Sequence, residues 1–263
     1  FAYKYCFRYI SSLVELPNRT KNLLSSNNFN FIHLDSVEST MTSIKNFVGR
    51  KNICLLADEQ TLGIGRRGNE WVSPKGNIYI SFLIKYDLAI ENHFLFGALT
   101  ANSIIKFLKR YINENINIKW PNDIIINNKK IAGIMTEIVE HNNIQYIVIG
   151  AGINILTSPK ITDYKTCSLI NYKDNLNYES VVINFIESYF HEYEMMNNKN
   201  YDQILNLFKN QMNNLGSNID ILLPNGDVKK VLLKNLNLDG SLLVEGGGKE
   251  ENIFSGRIIN DIN

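Results

Sequence analysis

A short glycine-rich segment carries two adjacent arginines, in the order Gly63-Ile64-Gly65-Arg66-Arg67-Gly68. Glycines let backbone amides approach an anion closely, and guanidinium groups can fork onto phosphate or carboxylate oxygens. The segment is not a dinucleotide fingerprint, because a strand pattern rather than a helical one follows it, and it does not end in the Gly-Lys-Ser/Thr of a P-loop. Taken alone, the hexapeptide fits an anion-binding loop and a solvated surface loop equally well.

A second run, Lys119-Trp120-Pro121-Asn122-Asp123, joins a cation, an aromatic ring and two short polar side chains at the end of a predicted strand. Asn122 and Asp123 offer oxygen atoms of the kind that Mg²⁺ prefers, or they could hold a ribose or a base. The alternative is a turn closed by Asn and Asp, with Trp120 in the core.

Two further segments place glycines beside polar side chains. In Lys129-Lys130-Ile131-Ala132-Gly133-Ile134, a lysine beside small residues can meet a carboxylate or an α-phosphate as a point charge, although two solvated lysines at a turn are the simpler alternative. In Gly150-Ala151-Gly152-Ile153-Asn154, the glycines permit close approach, and Asn154 can place its amide near a phosphate.

Hydrophobic periodicity predicts the elements that position these groups. Strands are predicted at 31–35, 53–57, 77–86, 116–119, 131–139 and 144–155, and helices at 41–48 (with Ser39 as N-cap), 93–111, 181–190 and 201–212. After Gly216, short strands at 219–223, 228–236, 241–244 and 253–258, separated by Asn-Gly and Asp-Gly turns, predict a small β module. We therefore expect an α+β chain with three parts: an N-terminal extension packed on the domain (1–30), a catalytic domain (31–215) and a β domain (216–263).

Composition argues against several classes of protein. Net charge is +1, from 27 basic and 26 acidic residues, so no global field attracts nucleic acid or a membrane surface. No apolar run approaches the length that spans a bilayer. Cys6, Cys54 and Cys167 are odd in number and match no metal spacing, and the four histidines are scattered. Reduced thiols favour a cytoplasmic location; an organelle stays open because the chain begins at Phe1.

The motifs together are more specific than any one of them. Ser39-Thr40, Gln60, the glycine–arginine loop, Lys-Trp-Pro-Asn-Asp, Lys-Ile-Ala-Gly-Ile and Gly-x-Gly-Ile-Asn follow one another in an order that resembles the biotin protein ligase (holocarboxylase synthetase) family over residues 31–160. The resemblance implies a mixed or antiparallel sheet with packing helices, of the class II aminoacyl-tRNA-synthetase type, followed by a small SH3-like β-barrel. Residues 1–30 are too short for the winged-helix DNA reader that some ligases carry.

The resemblance also implies an activity: an ATP-dependent ligase that forms biotinyl-5'-AMP and transfers biotin to a lysine of a biotin carboxyl carrier domain. It implies catalytic roles for Lys130, Arg66 and Arg67. The implied biotin contacts are Ser39, Thr40, Gln60, Gly63, Gly65, Arg66, Lys130 and Gly133. The implied ATP or adenylate contacts are Arg67, Gly68, Trp71, Lys119, Asn122, Asp123 and Asn154. Mg²⁺ would be held through the phosphates, with Asp123 as a candidate ligand.

One departure from the family pattern bears on the site. Ile64 stands where the family usually has the first arginine of Gly-Arg-Gly-Arg, so one phosphate or loop-ordering contact is in question. Two other functions stay open: a ligase for another acid such as lipoate, which would need a longer apolar channel, and a non-enzymatic biotin or adenylate sensor. The sequence does not predict which carboxylase is the acceptor, or whether the chain forms a homodimer.

Overall fold

Seven strands form the main sheet of the computed structural model, which describes residues 14–86, 90–160 and 164–259. They are β1 (Phe29–Val37), β2 (Asn52–Gln60), β3 (Ile78–Lys85), β4 (Ile116–Lys119), β5 (Asp123–Ile126), β6 (Lys129–His141) and β7 (Ile144–Ile153). Their order across the sheet is β1-β2-β3-β7-β6-β5-β4. Only the β1–β2 pair is parallel within the described sheet, so the expected mixed sheet is confirmed.

Five α-helices in the described part of the chain accompany the sheet: α1 (Asn18–Ser26), α2 (Thr40–Ser43), α3 (Phe94–Leu108), α4 (Tyr178–Asn197) and α5 (Tyr201–Lys209). α3 is buried on nearly every face, as a helix apolar all round should be, and it packs against α4 and α5. The rings of Phe82 on β3 and Tyr189 on α4 stack with centroids 3.6 Å apart. One face of the sheet is therefore closed by a helical layer, which leaves the other to carry the site.

The C-terminal strands form a separate antiparallel sheet. They are β8 (Asn218–Leu222), β9 (Val228–Leu236), β10 (Leu242–Gly246), β11 (Lys249–Ile253) and β12 (Arg257–Ile258), in the order β11-β10-β9-β8-β12. This sheet is compatible with the expected SH3-like module. The indole N–H of Trp120, at the end of β4, donates to the carbonyl of Gly240 in the β9–β10 turn at 2.9 Å. That buried bond ties the module to the main sheet.

The described part of the N-terminal extension packs on α4. Thr20 Oγ1 donates to Glu187 Oε1 at 2.6 Å, and Arg19 Nε lies 2.7 Å from the same oxygen. Leu24 is buried in the main core. Residues 1–13 of the predicted extension, including Cys6, lie outside the described residues, as do 260–263 of the predicted β domain. The predicted domain bounds stay predictions, although β1 begins at Phe29, two residues before the predicted catalytic domain.

Two predictions about elements were wrong, and the strands β5 and β11 were missed. The predicted helix 41–48 is the four-residue α2 followed by a 3₁₀ turn over Ile44–Phe47, and Ser39, at the N-cap position, makes no side-chain cap bond. The predicted strand 253–258 is the last residue of β11, a break over residues 254–256, and then β12. β11 itself, Lys249–Ile253, was missed because its charged sequence shows no apolar face. None of the described helices has the length and apolar character needed to cross a membrane.

Candidate active site

The glycine–arginine loop folds as a hydrogen-bonded hairpin, which we call the lid hairpin (residues 61–76). Its backbone hydrogen bonds, which we call its rungs, run from Gln60 N to the Ser73 carbonyl (3.1 Å), from Trp71 N to the Gly63 carbonyl (2.8 Å) and from Gly65 N to the Asn69 carbonyl (2.7 Å). At its tip, Arg67 adopts a left-handed backbone with φ +58°. The segment is therefore an ordered element rather than an unstructured surface loop, and its tip presents both arginines.

A cavity lies between the lid hairpin and the face of β6 and β7; we call it the inner cavity. It encloses about 460 Å³ of atom-free space that opens to solvent. Eight of the sequence-predicted site residues line it: Thr40, Gln60, Gly65, Arg66, Trp71, Asn122, Lys130 and Gly133. The structure thus brings together residues separated by up to 93 positions in the chain, from Thr40 to Gly133.

A wider outer cleft, with about 1400 Å³ of atom-free space, shares Arg66 and Lys130 with the inner cavity. Three more predicted residues, Arg67, Lys119 and Asp123, line it. Among its described lining residues, six are cationic (Arg66, Arg67, Lys119, Lys130, Lys165, Arg257) and two are acidic (Glu70, Asp123). A chain of net charge +1 has therefore concentrated positive charge at this cleft, as a polyanion site requires.

Lys130 lines both the inner cavity and the outer cleft. Its Nζ forms an ion pair with Asp123 Oδ1 at 2.7 Å and lies 4.9 Å from the centroid of the Trp71 ring and 5.3 Å from that of Tyr164. An ammonium group over aromatic faces is stabilised electrostatically. Lys130 is therefore held by several contacts from different elements, unlike a solvated lysine at a turn.

The two arginines of the lid hairpin are held by different parts of the molecule. Arg66 Nη1 donates to Asn122 Oδ1 at 3.2 Å, and Arg67 Nη2 donates to Ser255 Oγ at 3.1 Å. Burial, followed by repulsion from Arg67, lowers the pKa of Arg66, while attraction from Asp123 raises it. A partly desolvated guanidinium gains more from an anionic ligand than one in open water.

Trp71 packs its ring directly on the strands beneath the lid. A Cβ added to Gly152 would overlap the indole, and one added to Gly133 would lie 2.9 Å from it. Glycine at these two positions is what admits the ring. The indole N–H is buried and has no hydrogen-bond partner among the described residues.

Thr40 and Gln60 form a polar pair in the inner cavity. The backbone N–H and the hydroxyl of Thr40 both donate to Gln60 Oε1, at 2.8 and 3.1 Å. A backbone N–H can only donate, so this contact fixes which end of the Gln60 amide is oxygen. The pair presents a defined set of hydrogen-bonding groups rather than a freely rotating amide.

Asn154 reaches a small third cavity that it shares with Trp71, Lys130 and Tyr164. Its Nδ2 donates to the Cys167 carbonyl at 3.0 Å, while its Oδ1 is buried without a partner in the described structure. The side chain is therefore anchored through Nδ2 and unpaired at Oδ1 within the described structure.

Three predicted site residues do not line these spaces. Ser39 is buried with an unpaired hydroxyl beside Thr40, as far as the described residues show. Gly63 lies inside the lid hairpin, where a Cβ would clash with the Trp71 carbonyl, so it shapes the lid. Gly68, with φ +77°, lies at the tip with no heavy atom near its Cβ position in the described structure.

Among the residues that sequence reasoning missed are Tyr164 and Arg257, which line the cleft, and Ser255, which accepts a hydrogen bond from Arg67. Tyr164 belongs to a polar stretch with no periodicity, and Ser255 and Arg257 come from the C-terminal module, whose position over the cleft depends on tertiary packing. No local signal in the sequence points to them.

The described residues contain no cluster of three His, Cys, Asp or Glu side chains that could hold a metal ion. The predicted metal ligand Asp123 is paired with Lys130. This donor set fits a Mg²⁺ ion that takes most of its ligands from phosphates and water.

Comparison with known proteins agrees with this geometry. The model of the biotin/lipoate A/B protein ligase family matches residues 34–154. A bifunctional ligase/repressor BirA of Bacillus subtilis is 32% identical over 128 residues, 48% of this chain and 39% of that protein. A biotin–[acetyl-CoA-carboxylase] ligase of Mycobacterium tuberculosis is 21% identical over 216 residues, 79% of this chain and 78% of that protein. The matched part of the chain spans 38–39% of the length of the curated ligase/repressor relatives.

Among solved structures, a biotin protein ligase from Aquifex aeolicus in complex with biotin and ATP superposes with a TM-score of 0.70 at 22% identity, covering 88% of this chain and 97% of that one. This likeness concerns the fold, including the expected sheet-and-helix architecture. The family model covers every residue that lines the inner cavity, so this part of the chain is similar to the biotin/lipoate A/B protein ligase family.

Proposed function

We propose that the chain is an ATP-dependent biotin protein ligase, which forms biotinyl-5'-AMP from biotin and ATP and then transfers biotin to a lysine of a carboxyl carrier domain. The observation that carries the proposal is that Arg66 and Lys130 line one cavity with the Thr40–Gln60 pair. Such a cavity can hold a polar ring against Thr40 and Gln60 while a carboxylate meets the two cations.

The polar pair favours a urea ring over a dithiolane. A cyclic urea has a carbonyl that accepts hydrogen bonds and N–H groups that donate them, so it can satisfy Thr40 and Gln60 together. The dithiolane ring of lipoate has no donor, and it would leave these groups unpaired after desolvation, which is costly. A site built to hydrogen-bond its substrate rejects analogues without those groups strongly.

In the first step, a carboxylate oxygen of biotin attacks the α-phosphorus of ATP, and pyrophosphate leaves. Lys130, Arg66 and Arg67 would offset the negative charge that builds on the phosphate oxygens. Asn122 positions Arg66, because its Oδ1 accepts from Arg66 while its Nδ2 donates to the Ile134 carbonyl at 2.9 Å. Lys119 and Asn154 would contact the nucleotide. Positioning and electrostatics, rather than covalent chemistry by the protein, carry this step.

The lid hairpin would protect the mixed anhydride from water. Its backbone rungs and the Trp71 ring close one side of the inner cavity, and its tip reaches the outer cleft. Exclusion of water suppresses hydrolysis of a reactive intermediate. Ile64 lines the same cavity with an apolar side chain, so the adenylate would be held by Arg66, Arg67 and Lys130 without the family's additional arginine.

In the second step, the acceptor lysine attacks the acyl carbon and AMP leaves. The attacking amine must be deprotonated, and Asp123, in the outer cleft, is the candidate that could take the proton. Mg²⁺, bound through the phosphates with Asp123 as a candidate ligand, would supply charge neutralisation at the triphosphate. A cytoplasmic location and homodimer formation stay predictions, and the absence of nucleic-acid binding is expected from the charge balance.

A pyrophosphate-release assay with biotin, and in parallel with lipoate, tests the function. We expect ATP and biotin to give a burst of pyrophosphate, turnover only when a carrier domain is added, and little release with lipoate. Release with lipoate alone would identify a lipoate ligase. Tight binding of biotin without any pyrophosphate release would identify a sensor.

A further inference from the structure

Ser81 is a single polar residue in the middle of the apolar strand β3, and its side chain is fully buried. Its hydroxyl donates to Thr40 Oγ1 at 2.8 Å. A buried hydroxyl costs free energy unless it is hydrogen-bonded, so the contact explains how this residue is tolerated in the core. It also brings the core of the sheet into contact with the polar pair of the inner cavity.

From Thr40, hydrogen bonds continue into the lid hairpin. Thr40 Oγ1 donates to Gln60 Oε1, and Gln60 Nε2 donates to Ser73 Oγ at 2.8 Å. Ser73 Oγ in turn donates to the backbone carbonyl of Trp71 at 2.6 Å. Ser73 is itself buried. Ser81, Thr40, Gln60 and Ser73 thus form one hydrogen-bond chain between the sheet and the lid.

The direction of each bond in this chain follows from its fixed members. The Thr40 backbone N–H fixes the Gln60 amide, and the Trp71 carbonyl can only accept, so Ser73 must donate to it. Thr40 uses its one hydroxyl hydrogen on Gln60, so Ser81 must be the donor to Thr40. A ligand therefore meets a lone pair on Thr40 and the second amide hydrogen of Gln60.

We propose that Ser81 and Ser73 are positioning residues. They fix which groups of the inner cavity donate hydrogen bonds to the substrate's ring and which accept them. The inference rests on the proposed function and adds to it two residues with no assigned role. A cyclic urea offers an N–H to the Thr40 lone pair and a carbonyl to the Gln60 amide. Without Ser81, the Thr40 hydroxyl can turn its hydrogen into the cavity, where it would face a donor. Without Ser73, Gln60 Nε2 loses its acceptor, and the amide is held only through its oxygen.

Isothermal titration calorimetry of Ser81→Ala tests the proposed role of Ser81. We expect the Kd for biotin to rise about three- to ten-fold, the loss of one buried hydrogen bond, with the Kd for ATP unchanged. The KM for biotin should rise with kcat kept, because binding of ground state and transition state falls alike. Ser103→Ala is the matched control: Ser103 is as buried as Ser81, but its hydroxyl donates to the Leu99 carbonyl within α3.

A double-mutant cycle separates polarity from packing. If Ser81 acts through Thr40, then Ser81→Ala should change the biotin Kd by less than about two-fold in a Thr40→Val background, since the interaction has already gone. Additive effects would overturn the proposal. Ser73→Ala tests the other end of the chain and decides the matter should Ser81→Ala fail to fold: a biotin Kd like that of the wild type would overturn the proposal.

The proposed function and this inference fail in different ways. If neither the wild type nor Ser103→Ala binds biotin, the proposed function is wrong and the inference falls with it. If the wild type binds biotin and releases pyrophosphate, but Ser81→Ala and Ser73→Ala bind it equally well, only the inference is wrong.

Discussion

Lys130 illustrates how a residue of common type acquires a special environment. Its ammonium group contacts a carboxylate from β5, an indole from the lid hairpin and the phenol ring of Tyr164. The sequence pointed to Lys130 through its motif alone, since two lysines at a turn are usually solvated. Tyr164 could not have been predicted, because nothing local connects it with a residue 34 positions earlier.

At the same scale, Arg66→Gly should release the adenylate. The substitution removes the guanidinium that bonds Asn122 and adds backbone freedom at the lid tip, so biotinyl-5'-AMP should escape and label lysines of unrelated proteins. Adenylate lifetime is measured by filtration of the loaded enzyme, and we expect it to fall at least about ten-fold if one charge-assisted contact is lost.

Arg50→Gly provides the matched control for this measurement. Arg50 lies over the Phe47 ring and lines none of the three described cavities, so its loss should leave adenylate retention as in the wild type. An equal lifetime in Arg66→Gly and the wild type would exclude a lid role for Arg66.

At the scale of elements, β3, β6 and β7 were predictable because long apolar runs with β-branched residues are typical of buried strands. The lid hairpin was not, since its rungs are isolated bridges between glycine-rich segments that carry no periodicity. β5 and β11 were missed for related reasons: one is four residues long and the other is charged. Elements held by tertiary contacts rather than by their own pattern escape this kind of reasoning.

Gly152→Ala tests the packing of the Trp71 ring, and so of the lid hairpin, on β7. An added Cβ would overlap the Trp71 indole, so the ring must leave its place over β7 and the lid must open. We expect the KM values for biotin and ATP to rise by about ten-fold or more, because displacing a packed ring disturbs geometry that the reaction requires. Steady-state kinetics give the result.

Gly97→Ala is the corresponding control. Gly97 lies in α3, and an added Cβ would meet only the Thr136 methyl group at 3.5 Å, an ordinary contact. Its KM values should stay at wild-type levels, and stability should increase by about 0.5–1 kcal/mol because alanine favours the helix. Normal kinetics in Gly152→Ala would show that the Trp71 position is not needed for activity.

At the scale of the whole molecule, the two sheets meet at the outer cleft. The Trp120–Gly240 bond joins the end of β4 to the C-terminal module, and the Arg67–Ser255 bond joins the lid hairpin to the same module. The existence of a C-terminal β module was predictable from its turns and short strands. Its placement over the cleft was not, because the sequence gives no sign of which surface the module covers.

The two tryptophans of the chain give a paired test of this junction. Trp120→Phe removes an indole N–H that bonds a buried carbonyl, so the free energy of unfolding should fall by about 1–3 kcal/mol. Trp71→Phe also replaces an indole by a smaller ring, but the N–H that it removes has no partner in the described structure, so the unfolding free energy should fall by less than in Trp120→Phe. Denaturant unfolding of both variants makes the comparison, and equal losses would contradict the assigned role of the Trp120 bond.

Biotin-dependent pyrophosphate release by Lys130→Ala, measured beside Lys129→Ala, shows whether Lys130 serves adenylate formation. Lys129 is the exposed neighbour of Lys130 at the start of β6, so its loss removes the same charge one residue away without touching the inner cavity. We expect release to fall by at least about a hundred-fold in Lys130→Ala, as for removal of a group that stabilises developing charge, and to stay within about two-fold of the wild type in Lys129→Ala. Near-normal release by Lys130→Ala would contradict this role of Lys130.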